Sequence, residues 1–154
     1  MIKLPKFTSQ SMYDSETDFN LQMNRERLSK FLIHYEIFKK IVKIKGDIVE
    51  CGIFKGTSFV RLALFRELFK KRCKLIGFDI FADIYPNTSF KNEKKHREHW
   101  VKTAGHSSIS ENQMYKVFKK KKFKNIKLIK GDVLKTIPEF AKKNKNTKIS
   151  FLNI

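Results

Sequence analysis

One stretch constrains the fold more than any other: Gly46 to Ser58, reading Gly-Asp-Ile-Val-Glu-Cys-Gly-Ile-Phe-Lys-Gly-Thr-Ser. Ile48, Val49 and Cys51 form a short apolar run between Gly46 and Gly52, the size of a buried parallel strand. From Ser58 to Lys70 the apolar residues Phe59, Leu62, Ala63, Phe65, Leu68 and Phe69 recur at helical spacing. Strand, glycine turn and helix in that order open a doubly wound α/β domain, whose ligands sit at the carboxyl ends of the strands. A carboxylate, Glu50, stands at that end.

Glycine spacing narrows the ligand. Gly52-x-x-x-Gly56 lacks the Gly-x-x-x-x-Gly-Lys-Ser/Thr of a phosphate loop, and it lacks the Gly-x-Gly-x-x-Gly of a dinucleotide turn. An acid followed by a turn of small residues suits a ligand carrying an ammonium group, because backbone without Cβ lets it approach closely. S-adenosylmethionine has that group and no phosphate. The second strand, Lys74 to Asp79, ends in an acid 27 residues beyond Gly52. A carboxylate there can accept both hydroxyls of a ribose diol; the alternative is a helix cap. Ile80 and Phe81 follow and could form an apolar wall for an adenine.

Taken together, Glu50-Cys51-Gly52-x-x-x-Gly56-x-Ser58 resembles the first motif of class I S-adenosylmethionine-dependent methyltransferases, in the form found in macrocin-type O-methyltransferases. The likeness covers roughly residues 25–154. It implies a Rossmann-like doubly wound parallel sheet and a cofactor held by Glu50, Gly52, Gly56, Ser58, Asp79, Phe81 and Asp132. In that family the Gly131-Asp132 step lies beside the adenine; capping of the next helix by Asp132 is equally open, and both can hold. The activity implied is methyl transfer to a hydroxyl of a sugar or another small molecule. In the family, the strand here spanning Lys148 to Ile154 runs into an Asp-x-Asp-Leu-Tyr segment with a magnesium ligand, so Mg²⁺ is expected only in a complete homologue. The chain is expected to be truncated after about its fourth strand, lacking the metal and acceptor half, with no catalytic residue identifiable.

The remaining segments fit one domain, 46–154, preceded by an arm and helix over 1–45. Residues 1 to about 14 show no period. A helix capped at Ser15 or Thr17 then carries Leu28, Phe31, Leu32, Tyr35, Phe38, Ile41 and Val42 on one face, with His34 as a packing residue at its flank. Asp83 to Ser110 reads as a lid or binding loop with a short helix near Asn92 to Thr103. His96, His99 and His106 lack the ligands that would complete a metal set. Helices are expected over Ser110 to Phe118 and Val133 to Lys142, with a strand at Ile126 to Ile129 and a turn at Pro138.

The net charge of +19 raises a basic nucleic-acid module as an alternative. Only six of the 34 basic residues are Arg, however, and Arg supplies the bidentate contacts such surfaces favour. No zinc or helix-turn-helix pattern accompanies them. An NAD-dependent oxidoreductase is the second alternative; the missing motif glycine and Glu50 near a diphosphate position count against it. No apolar run is long enough to span a membrane. Cys51 and Cys73 show no metal spacing, so a reduced, cytoplasmic setting is expected, with a small-molecule hydroxyl acceptor and possible homo-oligomers as partners.

Overall fold

The computed structural model describes residues 1–82 and 93–154. Four parallel strands, β1 (Asp47–Cys51), β2 (Leu75–Asp79), β3 (Ile126–Lys130) and β4 (Ile149–Asn153), form one sheet in the order β3-β2-β1-β4. That order places the chain's reversal between β1 and β4, where doubly wound sheets open a crevice. Among the described residues six helices accompany them: α1 (Ser9–Gln22), α2 (Arg25–Ile41), α3 (Thr57–Leu68), α4 (Lys94–Ala104), α5 (Glu111–Lys121) and α6 (Val133–Lys143).

Strand alternation sorts the core into two layers. Ile48 and Leu75 point to the face covered by α2, α3 and α5, where they pack with Phe38, Phe59, Leu62, Met114 and Phe118. Val49, Ile76 and Phe78 point the other way, against Val133 and Phe140 of α6. Fully burying one such side chain contributes about 1.5–3 kcal/mol, so the two central strands anchor the molecule. Gly77 on β2 is forced by this packing. A Cβ there would stand 2.5 Å from Ile53 Cδ1 and 2.7 Å from Phe59 Cε2.

The N-terminal segment differs from its expectation. Two helices replace the arm and single helix, because two caps compete with the residues singled out. Thr8 accepts from the Ser11 amide at 3.2 Å while Ser11 Oγ accepts from Thr8 N–H at 3.1 Å, a reciprocal box that starts α1 well before Ser15. Asn24 accepts from Arg27 N–H at 3.0 Å and restarts the helix after extended Met23. On α2, Leu28 and Leu32 are exposed; the buried face is centred on His34, Phe38 and Ile41. Pro138 lies inside α6 rather than in a turn. The expected helix near Asn92 to Thr103 is α4, whereas residues 83–92 of the expected loop lie outside the described residues. Among the described residues no helix is long and apolar enough to cross a membrane.

Candidate cofactor site

The turn from β1 into α3 is held from below and from the side. Gly52 takes φ +84°, a region that side chains resist, and donates its N–H to Phe78 O on β2 at 2.9 Å. Gly56, at φ +82°, leads into α3. A Cβ built on Gly52 would meet no atom within 4 Å. The space above this glycine is therefore open, and its backbone can be approached directly.

Asp79 ties the strand ends together. Its Oδ2 accepts from Phe54 N–H at 2.9 Å and its Oδ1 from Phe81 N–H at 2.7 Å. Its carbonyl accepts from Gly131 N–H at 2.9 Å, bringing in the turn after β3. Each carboxylate oxygen retains a lone pair beyond the one engaged. Phe81, held at φ +50°, turns its ring into the core and is buried; Ile80 is the exposed neighbour. Asp132 accepts from Leu134 N–H at 2.9 Å and caps α6, while its side of the turn stays exposed. The structure thus lines up Gly52, Asp79 and Asp132 along one edge, with Phe81 behind it.

Glu50 lies beneath the turn, 1% exposed. Ser58 Oγ donates to its Oε1 at 2.6 Å, and no donor among the described residues reaches its Oε2. Burial pushes this carboxyl up to about 7, against the opposing pull of Ser58, Asn153 and Arg61. Ser58 has committed its single proton to Glu50, so what the half-buried hydroxyl offers outward is lone pairs.

Sequence reasoning missed several neighbours. Asn153 stands opposite Glu50 in the β1–β4 pair, a relation visible only once strand order and register are known. Arg61 is one helical turn beyond Ser58, a spacing that could have been read. Phe54 ties the turn to the α4 side: its ring lies 6.2 Å from that of Trp100, and its carbonyl accepts from Ser108 Oγ at 2.8 Å. Lys55 Nζ also donates to Ala104 O at the end of α4.

No protein-family model and no curated protein matches the sequence. Solved structures do match. The calicheamicin methyltransferase CalS11 superposes with a TM-score of 0.59 at 17% identity, over 94% of this chain and 60% of that one. An apo structure of CalS11, described as a TDP-rhamnose 3'-O-methyltransferase, gives 0.57 at 16% identity, over 94% and 58%. The O-methyltransferase NovP gives 0.59 at 14% identity, over 71% and 47%. Identities this low speak for fold alone. The chain has the Rossmann-like fold of the O-methyltransferases CalS11 and NovP, and spans about half of their length.

Proposed function

We propose that this chain binds S-adenosylmethionine at the carboxyl edge of β1 and β2, as the cofactor part of an O-methyltransferase acting on a sugar or similar hydroxyl. The observation that carries the reading is Gly52: an exposed turn glycine at positive φ, open above, between the Glu50–Ser58 pair and Asp79. Bound there, the cofactor supplies a methyl on a sulfonium, ready for in-line transfer to oxygen. The protein's part is alignment. Asp79 keeps lone pairs for a ribose diol while its other contacts fix the turn. Ser58 Oγ accepts from an ammonium, and Glu50 behind it supplies the negative charge. Asp132 at the next strand end is placed to accept from an exocyclic amine.

Once ionised, above about pH 7, the Glu50 carboxyl also works against NAD or ATP, because a diphosphate over Gly52 carries charge of the same sign. Equilibrium dialysis with labelled S-adenosylmethionine tests the reading. Retention should be abolished by S-adenosylhomocysteine and left intact by NAD and ATP. Displacement by NAD instead would move the site to the oxidoreductase class.

A further inference from the structure

Charge is not spread evenly along this chain. Residues 38–46, 65–74, 118–125 and 140–148 run from the last turn of a helix to the next strand. They hold 18 of the 34 Lys and Arg and, of the 15 acids, only Glu67. That is +17 of the net +19, so the rest of the chain is close to neutral. A helix dipole favours a basic residue or two in each last turn. It does not account for Lys45, Lys74, Lys124 and Lys148, which stand beyond the helices and within two residues of the strands.

Topology gathers these stretches on one edge. All four strands are parallel, so their amino ends and the connections that feed them lie together, opposite the edge that carries Gly52 and Asp79. Buried side chains knit the connections to one another. Lys71 Nζ donates to Ile44 O at 2.5 Å, and Arg66 donates to Asn125 O at 3.0 Å and to Lys124 O at 2.5 Å. The other 16 basic residues of these stretches are exposed. Among the described residues their only ion pair joins Lys39 to Glu36. Asp47, at the start of β1, adds one acid to this edge, and its Oδ1 is engaged by Lys74 N–H at 2.8 Å. Between the connections into β2 and β4 lies an open hollow of about 510 Å³, whose lining includes Lys74, Lys143, Lys145 and Lys148.

Two features decide which anion fits. Leu68 at the end of α3 and Ile44 in the turn after α2 are exposed among these lysines, and Ile149 is exposed at the foot of β4. Aliphatic groups ringed by Lys suit the headgroup boundary of a bilayer, where they sink while the ammonium groups meet lipid phosphates. A nucleic-acid duplex offers them no apolar phase. Of the exposed basic residues here only Arg72 is an Arg, and diffuse attraction to lipid needs point charges rather than guanidinium forks. We propose that the amino-end edge of the sheet is a docking surface for an anionic lipid bilayer, which leaves the Gly52 edge facing water. The proposal stands independently of the cofactor reading.

Vesicle flotation tests it, with phosphatidylcholine alone and with an equal mixture of phosphatidylcholine and phosphatidylglycerol. The chain should float with the mixture, far less with phosphatidylcholine, and less with either as salt rises. Lys45→Gln with Lys74→Gln should weaken binding about tenfold or more. Lys130→Gln with Lys135→Gln removes the same charge at the opposite edge, the end of β3 and the start of α6, and should leave binding nearly unchanged. Ile44→Ser with Leu68→Ser should weaken vesicle binding while leaving retention on duplex DNA as in wild type. All six positions are exposed, so these variants keep the folded core. Equal losses in the two lysine pairs, flotation indifferent to phosphatidylglycerol, or full vesicle binding by the Ile44 and Leu68 variant would overturn the proposal. Retention on DNA without flotation would assign the edge to nucleic acid and overturn it as well.

Discussion

A carboxylate as buried as Glu50 is comfortable only when protonated or when positive charge stands beside it. Folding raises it from 4.5 to about 7, so the folded chain holds a proton that the unfolded chain releases between those values. The stability linked to this group is complete below about pH 4.5 and is lost as pH climbs to about 7, by at most ~3 kcal/mol. Glu50→Gln should therefore melt higher than wild type at pH 8 and similarly at pH 5. Affinity for S-adenosylhomocysteine should run the opposite way, rising through pH 7 in wild type and staying flat in Glu50→Gln, because the ammonium prefers ionised Glu50. A thermal melt and a calorimetric titration at several pH values check the two signs. Asp79 carries a double duty of another kind. Asp79→Ala should lose about 1–3 kcal/mol of stability, from the orphaned Phe54 and Phe81 amides, together with at least tenfold in nucleoside affinity. A variant that melts lower but binds equally well would leave Asp79 as a brace only. Both acids were legible from their places at strand ends. Their burial and second contacts were not, because those depend on which backbone amides the fold brings to them.

At the scale of elements, the two central glycines separate binding from packing. Gly52→Ala puts a methyl into open space at positive φ, so it should cost about 1–2 kcal/mol in stability. Its main effect should be on affinity, since the methyl occupies the ligand's approach. Gly77→Ala drives a methyl against Ile53 and Phe59 and should cost about 1–3 kcal/mol with the site's chemistry unaltered. Denaturant melts beside binding isotherms distinguish these cases; a purely structural loss in Gly52→Ala would count against a ligand over the turn. The strands could be read as short apolar runs, and α3 and α5 from periodicity, because each of those two helices buries one regular face. The start of α1 could not, since none of its residues is buried and only the Thr8–Ser11 box defines it. The stripe on α2 was read too wide: its buried face packs against α3, which leaves Leu28 and Leu32 at the flank.

Across the whole molecule, the order β3-β2-β1-β4 leaves β4 hydrogen-bonded to β1 on one side, with Ile149 and Leu152 exposed. Such an edge favours self-association. Light scattering should show the mean mass rising with concentration, and Leu152→Lys should reduce the rise; a monomer at all concentrations would contradict this. The parallel order followed from a strand-turn-helix beginning, whereas the pairing of Glu50 with Asn153 required the crossover itself. The most direct test of the central claim is a crystal structure of the protein grown with saturating S-adenosylhomocysteine. Density is expected over Gly52, with the ribose hydroxyls on Asp79 and the amino group on Ser58. Ligand bound elsewhere, or an ordered and accessible turn left empty at saturation, would contradict it.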